Sequence, residues 1–169
     1  MDPSMLRKVF GSFATGVTVV TAVGPDGRPV GVTVNSLTSV SLDPPLLLWC
    51  LANKSASLGA FTLGSAFAVH VLAAEQAAVA RHFARSGTDK FAGQAGPQDS
   101  ASPPEVPGAL VRLSCRVARL DPGGDHTIIL GELVSAELRP GAPLVFHASR
   151  FGRFALDEDP AAGSQDPWT

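Results

Sequence analysis

Residues 17–34 set the first constraint on the fold. Val17, Val19, Val20 and Val23 sit with Thr18 and Thr21 in a β-branched run. Such residues suit a pleated surface better than a helix. The run stops at Gly24-Pro25-Asp26-Gly27, where Pro presets one turn angle and Gly permits a positive one. A second run returns from Pro29 to Val34, so the spacing predicts a β-hairpin. Turn residues recur throughout: the 169 residues include 17 Gly and 14 Pro. That frequency argues for a turn-rich β protein and against a helical bundle.

Other segments follow the same logic. Apolar residues at Met5, Leu6, Val9, Phe10 and Phe13 predict a helix over 3–13, capped by Asp2 or Ser4. Residues 37–42 read as a strand ending at Asp43-Pro44-Pro45. Residues 46–51 are uniformly apolar, the pattern of a strand buried on both faces. A short helical stretch is expected from Asn53 to Leu63, a strand over 67–72 and an Ala-rich helix over 74–85. Residues 93–108 read as a mobile loop. Residues 110–120 alternate as a half-exposed strand and turn at 121–125. They return over 126–138, with Gly131 expected as a bulge. Residues 144–147 form the expected last strand, and 156–169 an expected disordered tail. The reading is one domain over 1–155, mainly β, with a β-barrel or α+β architecture.

Composition removes several function classes. Apolar residues are 45% and charged residues 17%, which excludes a wholly disordered chain. Thirteen basic against fifteen acidic side chains give −2, so no general pull toward nucleic acid or anionic membrane is expected. The longest apolar run, 46–52, is far short of the roughly 20 residues a membrane-spanning helix needs. The N-terminus lacks a secretory apolar stretch, and Cys50 and Cys115 each lie in apolar runs. Buried free thiols in a cytoplasmic protein are expected. No clustered His/Cys spacing points to a metal site. GxGxxG after a strand, GxxxxGK[ST] and GxSxG are all absent.

Three polar patches interrupt apolar segments, where polar side chains are costly unless paired. Thr33, Asn35, Ser36, Thr38 and Ser39 form the first. They suit a polar heteroaromatic ring, or a turn that satisfies its own backbone. Asn53, Lys54, Ser55 and Ser57 form the second, at an expected helix start. That suits phosphate, or plain capping. His126, in Gly124-Asp125-His126-Thr127, is the third, at a strand start where a structural or solvated role is equally open. Of the other histidines, His70 reads as a satisfied core group and His82 as solvated on a helix. His147 stands beside Arg150 and Arg153, placed for an anion or a subunit partner. Lys90-Phe91 reads as a surface pair of cation and ring.

In order, these patches resemble the short-chain flavin reductases, the reductase components of two-component flavin-dependent monooxygenases. The matching elements are FATGVTVVT (13–21), GVTVNSLTSVSLDPPL (31–46), NKSAS (53–57), DKF (89–91), GDHTI (124–128) and PLVF (143–146). The resemblance spans about residues 3–154. It implies an FMN-binding split β-barrel, a homodimer, and hydride transfer from NADH or NADPH to the N5 of FMN or FAD. Reduced flavin would then serve a partner monooxygenase. By the same resemblance, Thr33, Val34, Asn35, Ser36 and Ser39 line the flavin ring and ribityl chain. Ala52, Asn53, Lys54, Ser55 and Ser57 hold its phosphate, and Lys90 and Phe91 pack against it. His126 orients the nicotinamide, and Arg150 and Phe151 reach the site from the C-terminal end. Two alternatives stay open at this level. One is a flavoenzyme that keeps its flavin and acts on an organic substrate. The other is a binding module without turnover.

Overall fold

The computed structural model describes residues 2–87, 89–91 and 102–155. Helix α1 (Pro3–Gly11) starts where the Asp2 carboxylate accepts the Met5 N–H at 3.2 Å. It ends two residues before the expected Phe13, as Ser12 folds back onto the Val9 carbonyl. The β-branched run and its return become β2 (Thr18–Val23) and β3 (Pro29–Val34), an antiparallel hairpin in register Thr18↔Val34 to Val23↔Pro29. Gly27 takes φ +77° in the turn, a conformation that Gly adopts without steric cost.

Five further strands join them: β4 (Thr38–Leu42), β5 (Pro45–Ala52), β6 (Ala66–Val71), β7 (Val111–Gly123) and β8 (His126–Leu138). Their spatial order is β3-β2-β6-β7-β8-β5-β4, and every neighbouring pair is antiparallel. The sheet rolls until its two ends approach each other. Ser36, just past β3, accepts the Cys50 N–H of β5 at 2.9 Å through its Oγ. A small second sheet, β1-β9-β10, is built from β1 (Thr15–Gly16), β9 (Leu144–His147) and β10 (Arg150–Arg153). Sequence reading missed β10. Its hairpin turns through Ala148 and Ser149 at φ 47° and 63°, positions usually marked by Asn or Gly.

The rolled sheet encloses Trp49, Phe61 and Phe67, with Trp49 and Phe61 ring centroids 4.9 Å apart, edge to face. A second core lies outside the roll. There α2 (Ala77–Ala84) places Ala80 and Phe83 against Val17, Val19, Leu72, Phe91 and Leu144. The strand buried on both faces is therefore β2, not residues 46–51. In β5 only Leu47, Trp49 and Leu51 are buried; Leu46, Leu48 and Cys50 face outward and are half-covered. Thr21, fully buried in β2, donates to the Pro104 carbonyl at 2.7 Å.

Several expectations are corrected. Gly131 is not a bulge; the unpaired extra residues are Val134 of β8, opposite Ser114/Cys115, and Ala118 of β7, between Val117 and Arg119. Gly131 is required for close approach, since a Cβ there would sit 2.5 Å from Phe67 Cζ. The β7–β8 ladder runs through Asp121 and Pro122 to Gly123↔His126, leaving a two-residue loop with Gly124 at φ +74°. Residues 53–63 hold turns and one short 3₁₀ segment, Leu58–Ala60, rather than a helix. His70 is buried but only half satisfied. Its Nδ1 donates to the Val19 carbonyl at 3.2 Å, while Nε2 has no partner. His82 is not merely solvated: its Nε2 donates to the Lys90 carbonyl at 2.7 Å. Both cysteines are free, and burial pushes the Cys115 thiol up to about 12. Residues 93–101 of the expected loop and the expected tail (156–169) lie outside the described residues. Among the described residues, no helix is long and apolar enough to cross a membrane.

Candidate functional site

Because β3 is an end strand, it pairs only with β2 and its other backbone edge stays open. A cleft of about 820 Å³ runs along that edge. Ligand sites commonly measure about 300–1,000 Å³, so its size suits a large heteroaromatic ligand. Four chain segments wall it: residues 29–36, residues 50–52 with 54–57, the segment leaving α2, and His126 at the β7–β8 tip. Polar patches distant in sequence thus meet in one place. Val30, Val32, Val34 and Leu51 supply apolar lining, and the open edge of β3 supplies backbone donors and acceptors.

The β3 wall is held by its own polar groups. Thr33 Oγ1 donates to the Ala80 carbonyl of α2 at 2.7 Å. The Lys90 ammonium donates to the Gly31 and Phe83 carbonyls, both at 2.7 Å. It clasps β3 to the end of α2, and burial lowers its pKa. It is not an exposed cation beside a ring. Phe91 is buried against Phe83, centroids 5.2 Å apart, and does not line the cleft.

The opposite wall is more open. Asn53 ties its base: its Nδ2 donates to the Gly124 carbonyl at 3.0 Å, and its Oδ1 accepts the Thr127 hydroxyl at 2.8 Å. That fixes the β7–β8 tip beside Ala52, and Asn53 itself stands outside the lining. Lys54, Ser55, Ala56 and Ser57 line the cleft, and Lys54 has no ion pair among the described residues. The expected helix start does not exist there, so donors at this wall come from side chains and turn backbone.

His126 is paired with Ala52 across β8–β5 and enters the lining. Its Nδ1 lies 2.7 Å from Asp125 Oδ1. A carboxylate only accepts, so Nδ1 carries the proton and Nε2 is left for a ligand. The imidazole holds the Asp125 carboxyl below its ordinary range.

Of the residues expected at the site, Thr33, Val34, Asn35, Ser36, Ala52, Lys54, Ser55, Ser57, Lys90 and His126 come together. Ser39 is exposed on β4, and Phe151 packs on Phe146 at 5.5 Å with the Arg81 guanidinium 5.1 Å over its ring. Arg150, in the same hairpin, is also outside the lining. Sequence reading missed Cys50, Arg85, Ser86 and Asp89. Arg85 follows an Ala-rich helix and stands four positions before the DKF motif, the one signal that pointed to it. Among the described residues no cluster of three His, Cys, Asp or Glu is placed for a metal ion.

The model of the flavin reductase like domain matches residues 10–155. The chain is 47% identical over 149 residues to an FMN reductase (NADH), SmoA, of Agrobacterium fabrum, covering 88% of this chain and 84% of the relative. It is 35% identical over 169 residues to HsaB of Rhodococcus jostii, the reductase subunit of a flavin-dependent monooxygenase, covering 99% and 84%. It superposes with TM-score 0.83 and 44% identity on the Streptomyces globisporus NADH:FAD oxidoreductase SgcE6, solved with NAD and FAD fragments, covering 94% and 96%. Fold and sequence together place the chain in the flavin reductase-like family.

Proposed function

We propose that this chain is an NADH-dependent reductase of FMN or FAD that supplies reduced flavin to a partner monooxygenase. The observation carrying the proposal is the cleft itself. It gathers the open β3 edge, the Lys54–Ser57 wall and His126 around a volume suited to flavin. Relatives named as NADH-dependent flavin reductases and as reductase components support it. The bound flavin supplies the redox chemistry, accepting two electrons and a proton as hydride from the nicotinamide. The protein supplies position. Thr33, Val34, Asn35 and Ser36 present the ring site, and Lys54, Ser55 and Ser57 the phosphate site. His126, fixed by Asp125, offers Nε2 to the nicotinamide carboxamide. With the β3 wall held firmly, proximity is the main contribution, which requires no strong acid or base.

Two further readings belong with this one. A second copy of the chain covers the outward face of β5 and β8, where the register pairs Leu48 with Leu130 and Cys50 with Ile128, all half-buried apolar groups. Two free thiols suit the reducing cytoplasm. The activity test is NADH oxidation, followed by loss of the reduced nicotinamide band, with and without added FMN or FAD. Turnover that rises with added flavin is expected. Bound flavin without turnover would overturn the reductase reading.

A further inference from the structure

Four charged side chains line the cleft: Lys54, Arg85, Asp89 and Lys90. They are not equivalent. Lys90 is engaged by two backbone carbonyls and holds α2 to β3. Asp89 Oδ1 accepts the Phe91 N–H at 3.1 Å, which fixes its carboxylate beside Lys90 in sequence. Only Lys54 and Arg85 have no ion pair or side-chain hydrogen bond among the described residues. Lys54 belongs to the turn after β5, whereas Arg85 belongs to the segment leaving α2. The two free cations thus come to the cleft from different walls.

Phosphate chemistry makes this significant. A phosphate monoester carries about −1.5 to −2 charge near neutrality, so a single lysine leaves it incompletely neutralised. A guanidinium adds bidentate hydrogen bonding that an ammonium lacks. Arg85 is not needed as a cap for the α2 carbonyl end, because Lys90 already donates to Phe83 O there. At Arg85 the backbone is extended, φ −68° and ψ 147°, and the chain then turns through Gly87 at φ +71°. The residue is exposed and lines the cleft.

We propose that Arg85 is the second phosphate-binding cation of the cleft and, with Lys54, sets its preference for phosphorylated flavins over riboflavin. Lys90 instead is a positioning residue that acts through β3 and α2. The proposal rests on the flavin reading above and deepens it by assigning the phosphate contacts.

The test is equilibrium titration of riboflavin and FMN, read by flavin fluorescence, against wild-type protein, Arg85→Ala, Arg85→Lys and Lys90→Met. Arg85→Ala is expected to raise the FMN Kd by about 10- to 100-fold, the loss of one charge-assisted contact. The riboflavin Kd should stay within about twofold, since riboflavin has no phosphate. Arg85→Lys should recover part of the FMN affinity, and added salt should weaken FMN more than riboflavin. Lys90→Met should weaken both flavins alike and lower Tm. Equal loss of both flavins in Arg85→Ala, or an unchanged FMN-to-riboflavin ratio with a raised KM for NADH, would overturn the proposal. Wild-type protein that binds neither flavin would overturn the flavin reading, and the Arg85 assignment with it.

Discussion

The two walls of the cleft look alike in sequence and behave differently in structure. Both are short polar stretches between apolar strands. On the β3 side, Thr33, Ser36 and Lys90 all bond to protein backbone. On the other side, among the described residues, Lys54 has no ion pair and Ser55 Oγ accepts only the nearby Ser57 N–H, at 3.3 Å. The difference teaches how to divide a site. Groups that already have partners set the shape of the cleft, and groups without partners are left for the ligand. A buried donor or acceptor that loses its partner costs about 1–3 kcal/mol, whereas an exposed unpaired lysine costs almost nothing to remove.

The largest effect should fall on the pinned wall. Lys90→Met removes two charge-assisted bonds and leaves the Gly31 and Phe83 carbonyls without that donor. A loss of about 3 kcal/mol is expected, visible as a lower midpoint in urea unfolding. An unchanged midpoint would place Lys90 with the ligand groups instead.

His70 extends the pinned class beyond the cleft. It is 1% exposed, its Nδ1 bonds to Val19, and burial pushes its pKa down to about 4. The unfolded chain titrates near 6.5, so the native state favours the neutral ring. The resulting stability is complete above about 6.5 and is lost as pH falls toward about 4, by about 3 kcal/mol in all. His70→Asn should flatten that portion of the pH–stability curve. A curve unchanged between the two proteins would remove His70 from the argument.

Lys54→Ala probes the open wall. FMN affinity should fall about 10- to 100-fold while the unfolding midpoint stays put. A shift in stability with unchanged affinity would reverse the comparison. Smaller still is the effect of Asp125→Asn, which keeps size and loses the charge that fixes His126. The KM for NADH should rise by about threefold to tenfold, with flavin Kd nearly constant. His126→Ala should show the same selectivity more strongly. Equal changes in both constants would deny the histidine its nicotinamide role.

Much of this was legible in the sequence, for identifiable reasons. The β2–β3 hairpin announced itself through β-branched runs around Pro25 and Gly27, because turn chemistry and strand period agree there. The polar patches were visible because polar residues between apolar strands need partners. Which partner each one finds was not visible. Asn53 read as a phosphate ligand or a cap, yet it ties the β7–β8 tip, 71 residues away. Cap residues and turn residues are the same types, so the missing helix at 53–63 had no distinguishing mark. Gly131 read as a bulge because only the tertiary approach of Phe67 shows why a side chain is excluded. Arg85 lay at the end of a helix whose position against β3 depends on Thr33 and Lys90.

The most direct test of the central claim is anaerobic rapid mixing of the protein and FMN with NADH, following the nicotinamide and flavin absorption bands together. The account predicts that both bands bleach in step, with one rate constant that slows in His126→Ala. Nicotinamide oxidation without flavin bleaching, or no reaction from a protein that binds FMN, would contradict it.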